Sequence, residues 1–182
     1  AGLHGIVAQG WEAGGHRGVF DPSAPDERLT TEALVRRLSG STRLPLIAAG
    51  GLMDGADIRR AQDWGAAAAQ LGTAFIPCTE SAADADYRAR LAGGQTVMTP
   101  AISGRPARCL RNRFTAWAEG AAAEAIAAYP CAYDLGKALN AAARAQGETG
   151  FGAHWSGTGA ARARALPAAS LVARLAAEHA AA

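Results

Sequence analysis

The 182-residue sequence is poor in aromatics, which make up 6% of it, and nearly balanced in charge, with a formal net charge of +2. A polyanion calls for a basic surface and unstacked bases call for aromatic platforms, so nucleic acid is not the expected partner. Cysteine is scarce as well. Cys78, Cys109 and Cys131 are odd in number, far apart and without a C-x-x-C pair, which argues against a disulfide framework or a thiolate metal site and fits a reducing cytoplasm. No basic-then-apolar leader opens the sequence and no unbroken apolar run is long enough to span a bilayer, so neither secretion nor membrane insertion is expected. His4, His16, His154 and His179 show no H-x-x-x-H or H-E-x-x-H spacing, and no G-x-S-x-G elbow is present, which removes the simplest metal and serine-hydrolase readings.

What is present is a rhythm of short apolar runs that end in glycine. Gly5 to Gln9, Leu44 to Ala49 and Ala66 to Gly72 each read as a buried strand opening into a loop. The third run is alanine-rich and would be helical on propensity alone, but it follows the stop at Gly65 and repeats the pattern of the first two. Between the runs lie helical segments. Thr30 or Thr31 caps one that carries Leu34, Val35 and Leu38 and stops at Gly40, and Asp54 opens another that carries Ile58, Ala61 and Trp64. Strand, glycine loop and helix in succession predict βαβ units in a parallel α/β sheet, with function at the strand C-termini.

Beyond Ser81, taken as a cap, Ala82 to Leu91 is expected to be helical. Thr96 to Arg113 reads as strand or loop, Trp117 to Ala128 and Ala132 to Arg144 as alanine-rich helices, and Gly147 to Gly159 as a connector. The closing helix starts near Pro167 and is expected to bury Leu171, Val172 and Leu175.

Three glycine-ended strands in series suggest one shared ligand, because glycine lets backbone amides approach it with no Cβ in the way. The loop Gln70-Leu71-Gly72-Thr73 offers consecutive amides and a hydroxyl, Gly50 and Gly51 offer close approach beside it, and a phosphate is the expected guest. Tight turn packing is the plainer alternative for any one of these glycines. His16, among Gly14, Gly15 and Gly18, is expected to have no hydrophobic neighbour to pack against and to face a bound ligand, and it is the candidate base, with an ordinary imidazole pKa of about 6.5. Glu12 and Arg17 are expected to orient that loop through backbone or mutual pairing. Arg105, Arg108, Arg111 and Arg113 form either a solvated basic face or an anion contact over the site.

The segments AQGWEAGGHRG, PLIAAGGLMDGADI, AQLGTAFIPCTES, SGRPARCLRNRF and HWSGTGAARARALPAASLV together resemble the nitronate monooxygenase family, formerly 2-nitropropane dioxygenases, FMN-dependent (β/α)8 barrels. The resemblance implies FMN contact by Gln9, Gly14, Gly51, Gln70, Leu71, Gly72 and Thr73, and an active-site role for His16. It implies that an alkyl nitronate is oxidised with O2 to a carbonyl compound and nitrite, His16 acting as base when the substrate arrives as the neutral nitroalkane. It also makes the three strands the sixth to eighth of a barrel, so this is an incomplete barrel whose first five strands have no counterpart in the sequence, and either association between copies, as a homo-oligomer, or an alternative packing is expected to replace them. Residues 1–81 then belong to the barrel, 82–160 form an insertion near the active site, and 161–182 supply a closing helix. Thr158 stands where such segments usually carry glutamine. FMN-dependent enoyl-acyl-carrier-protein reductases and related NAD(P)H oxidoreductases share the E-A-G-G-H loop and A-A-G-G turn and are the alternative reading. A chain that binds no flavin and is catalytically inert is the other, since three parallel strands cannot close a barrel.

Overall fold

The computed structural model describes residues 2–182. Three parallel strands form the first sheet: β1 (Ile6–Gln9), β3 (Leu46–Ala49) and β4 (Ala68–Gln70), in the order β1-β3-β4, with Gln9 opposite Ala49 and Ala49 opposite Gln70. All three glycine-ended runs are therefore strands, the alanine-rich third included, because pairing with β3 outweighs the helical preference of its alanines. Among the described residues β1 and β4 are the outer edges of this sheet, and Val7 on β1 stays 48% exposed.

Helices α1 (Thr31–Ser39) and α2 (Gly55–Asp63) connect the parallel strands. Thr30 caps α1 by accepting from the Ala33 amide, which leaves Thr31 inside the first turn, and Asp54 caps α2 by accepting from Asp57. Ala8, Val35, Leu46, Ala48 and Ala61 make the core between sheet and helices. The closing helix α6 (Ala168–Ala181) lies on α2, so closely that a Cβ on Gly55 would sit 2.2 Å from the His179 amide nitrogen. Leu171 and Leu175 are buried in that contact, but Val172 is 54% exposed and not part of the apolar face. Residues 171 and 175 share a side of the helix, whereas 172 is turned about 100° away. Glu178 reaches the Gly55 amide and pairs with Arg164 and Arg174, which together pull its carboxyl to about 2.

Sequence and structure part company in the middle of the chain. The helix expected over Ala82–Leu91 is α3 (Ala85–Leu91), capped by Asp84 rather than Ser81. The Asp84 carboxylate accepts from the Tyr87 amide at 2.8 Å, while the Ser81 hydroxyl closes a local turn onto Ala83. The Thr96–Arg113 stretch contains two strands, β5 (Thr96–Thr99) and β6 (Ala107–Leu110), antiparallel to each other, and β6 also pairs with the two-residue strand β2 (Gly15–His16) to give a second sheet, β2-β6-β5. Only Arg113–Trp117 (α4) and a 3-10 turn at Ala123–Ala125 are helical where a helix was expected over Trp117–Ala128. Gly120 takes a φ of +82° there, and residues 119–125 are exposed, so the alanines have no apolar face to bury. The second alanine-rich helix forms as expected, as α5 (Cys131–Ala145).

Candidate active site

The C-terminal tips of β1, β3 and β4 open on a cavity of about 290 Å³, lined among others by Gln9, Gly14, Gly50, Gly51, Gln70, Gly72 and Thr73. Three of these glycines are required by geometry. A Cβ on Gly14 would lie 2.5 Å from the Ser156 carbonyl carbon, and Gly50 and Gly51 hold φ values of +125° and +72°. Among the described residues, none of the backbone N–H groups of Gly50, Gly51, Gly72 and Thr73 donates to another protein group. The Thr73 hydroxyl accepts from the Gly157 amide at 2.9 Å and keeps its own proton to donate. Unengaged donors at adjacent strand ends suit an anion of phosphate size.

Two expected contacts are different in kind. Leu71 packs its side chain into the core and does not line the cavity, so only its backbone is at the loop. Gln9 lines the cavity but uses both ends of its amide on the neighbouring loop: Nε2 donates to the His16 carbonyl and Oε1 accepts from the Gly18 amide, each at 2.8 Å. The same loop is fixed from beneath. Arg17, buried, donates to Asp26 and to the Gly10 carbonyl, and holds the Asp26 carboxyl below its usual range. Glu12 accepts from the Thr31 amide at 2.9 Å. Both residues orient the loop, though neither pairs with the other.

His16 borders a second cavity of about 380 Å³, together with Arg17, Val19, Phe20, Arg105 and Tyr129, rather than the glycine-lined one. Contrary to expectation it does have apolar neighbours: its ring centroid lies 5.7 Å from that of Tyr129, 5.8 Å from Tyr133 and 5.1 Å from Trp155. Trp155 also lines the glycine cavity, so its indole touches that cavity while packing near the His16 ring. The imidazole Nε2 lies 2.8 Å from the hydroxyl of Ser103. Burial and then the nearby Arg105 charge hold the His16 pKa below its ordinary value. The sequence pattern missed this surround. Ser103, Tyr129, Tyr133 and Trp155 lie from 87 to 139 residues away, and pairing of β2 with β6 brings the first of them in.

The arginine cluster divides. Arg108 is buried, donates to the Trp11 carbonyl at 2.8 Å and lies over the Trp11 ring, so it belongs to the scaffold. Arg105 donates to the Val19 carbonyl at 2.6 Å and borders the His16 cavity, whereas Arg111 and Arg113 pair with Glu119 and Glu148 at the surface. Among the described residues no group of three or more His, Cys, Asp or Glu could hold a metal ion, and no helix is long and apolar enough to cross a membrane. Cys78 and Cys109 are buried and Cys131 exposed, all as free thiols, with burial pushing Cys109 up to about 12.

Residues 1–178 match a family model described as nitronate monooxygenase. A nitronate monooxygenase of Paraburkholderia phytofirmans is 60% identical over 178 residues, which cover 96% of this chain and 49% of that protein. One of Pseudomonas aeruginosa is 50% identical over 175 residues, covering 94% and 50%. Among solved structures, nitroalkane oxidase from Streptomyces ansochromogenes superposes with a TM-score of 0.92 at 39% identity, over 99% of this chain and 52% of that one. FabK from Thermotoga maritima does so with a TM-score of 0.77 at 28% identity, over 99% and 55%. The chain thus spans about half the length of the curated relatives it matches.

Proposed function

This chain belongs to the nitronate monooxygenase family, and on that premise we propose that it is the FMN-phosphate-binding and base-bearing part of an incomplete (β/α)8 barrel that oxidises alkyl nitronates with O2. The observation that carries the reading is the set of unengaged amides at Gly50, Gly51, Gly72 and Thr73 around the glycine-lined cavity. These amides, with the Thr73 hydroxyl, would hold the phosphoryl group of FMN, and Gly14 and Gly51 would let the rest of the cofactor approach the backbone. Bound flavin supplies the electron acceptance that the side chains of the site lack.

The residues between 82 and 160 supply the side-chain half of the site. Tyr129, Tyr133 and Trp155 pack around the His16 ring and partly bury it, and Arg105 stands beside it. A nitronate arrives as an anion, and the Arg105 charge favours it in the second cavity. A neutral nitroalkane must first lose its α-proton. His16, whose pKa burial and the Arg105 charge hold below its ordinary value, is the group placed to take that proton. The free thiols fit work in a reducing cytoplasm.

The test is oxygen uptake by the chain loaded with FMN. Turnover of ethyl nitronate and of neutral nitroethane is expected, and in His16→Asn the neutral substrate should lose roughly 10²- to 10⁴-fold while the preformed nitronate loses far less. Equal losses would remove the base assignment. Steady NADH consumption with an enoyl thioester or a quinone and no oxidation of nitronate would replace the reading with a reductase, and failure to take up FMN would mark the chain as inert.

A further inference from the structure

The histidine of the site is held by a residue to which no glycine pattern points. Ser103 is fully buried between β5 and β6, and its Oγ lies 2.8 Å from His16 Nε2 and 3.2 Å from the Arg105 carbonyl oxygen. A hydroxyl has one proton to give, whereas a carbonyl can only accept. Among the described residues the Arg105 carbonyl receives no other hydrogen bond. Only one arrangement pairs all three groups: Ser103 donates to the carbonyl and accepts from an Nε2–H of His16. If Ser103 instead donated to Nε2, the Arg105 carbonyl of this partly buried network would be left without a protein donor.

We propose that Ser103 is a positioning residue that fixes neutral His16 as its Nε2–H tautomer and so makes Nδ1 the atom that takes the substrate proton. The inference rests on the reading of His16 as base. Nδ1 has no hydrogen-bond partner among the described residues, and the ring borders the second cavity. The groups around the imidazole are Arg105, Tyr129, Tyr133 and Trp155, and no carboxylate hydrogen-bonds it to pull a proton onto Nδ1. In the step itself an N–H bond forms at Nδ1 as the α-C–H bond of the nitroalkane breaks. The electron pair stays on the substrate as the nitronate, and the imidazolium keeps its Nε2–H on Ser103.

The experiment is ¹⁵N-resolved NMR of the histidine side chains in the whole chain, with the His16 signals assigned by their loss in His16→Asn. Above the His16 pKa, Nε2 is expected to show the protonated, pyrrole-type signature and Nδ1 the pyridine-type one. Ser103→Ala should convert this into a mixture of tautomers, and Ser103→Thr should restore it. In the FMN-loaded chain Ser103→Ala should slow neutral nitroethane roughly tenfold or more with little effect on ethyl nitronate, and Ser103→Thr should recover the rate. An Nδ1–H tautomer in the unsubstituted chain, or an unchanged tautomer in Ser103→Ala, overturns the proposal. If Ser103→Ala does not fold, the unsubstituted chain and Ser103→Thr still decide it. Because the NMR readout needs no turnover, a failed base assignment and a failed tautomer assignment are told apart.

Discussion

At the tips of β3 and β4 the groups that face the cavity are backbone amides, whereas around His16 the groups are side chains drawn from distant parts of the chain. The first region depends on what its residues lack. A methyl group at Gly14 would collide with main-chain atoms of Ser156 and Gly157, which cannot swing away as a side chain can. The second depends mainly on what its residues carry, on an antiparallel ladder that needs glycine at Gly15, with a φ of +77°, and at Gly104, where a Cβ would sit 2.4 Å from the Tyr129 amide nitrogen. A backbone site therefore fails when a Cβ is added at its donors and tolerates change in polar character, while a side-chain site is sensitive first to the loss of a polar group.

The sharpest way to break that contrast is Gly14→Ala. The displaced connector at Ser156–Gly157 should cost about 3 kcal/mol in urea unfolding and weaken FMN uptake more than tenfold. A variant of unchanged stability that still binds FMN would mean the close approach is not needed. Thr73→Val should act more mildly, since it removes one hydroxyl but no backbone donor: a loss of about 1–2 kcal/mol in FMN affinity, seen by fluorescence titration. If it abolished binding, the amides would not be the main holders of the phosphate.

The smallest expected effect is a pH dependence of stability that belongs to the side-chain regions alone. Burial lowers the pKa of both His16 and His154, and His154 Nδ1 accepts from Asn112 Nδ2 at 3.1 Å, so each ring folds more readily when neutral. The unfolded chain then binds more protons below the ordinary histidine pKa. Stability is fully present above about pH 6.5 and is lost as the pH falls from there toward the lowered folded values, at about 1.4 kcal/mol for each tenfold difference in proton affinity. Urea midpoints between pH 7.5 and 5.5 should fall accordingly, and His154→Gln should flatten part of the fall.

The same contrast explains how much was legible in the sequence. The parallel strands and the glycine turns that follow them could be read because their signal is local: an apolar run followed directly by glycine, at Gln9–Gly10, Ala49–Gly50 and Leu71–Gly72. Even the alanine-rich third strand followed the pattern, although β4 is held by pairing with β3 and not by its own propensity. The surround of His16 could not be read that way. Ser103 sits 87 residues on, and what joins the two is the β2–β6 ladder, of which β2 contributes only two residues. Alanine content misled over 117–128 because propensity without a buried face does not make a helix. Val172 misled because a run of apolar residues hides which of them share one side.

The central claim, that amides at adjacent strand tips hold the cofactor through its phosphoryl group, is tested most directly by titrating the chain with FMN and with riboflavin, which differ only in that group. The amide cradle predicts that FMN binds at least about 100-fold more tightly, equivalent to about 2.7 kcal/mol, with the difference shrinking as salt is added. Equal affinities for the two flavins would contradict it.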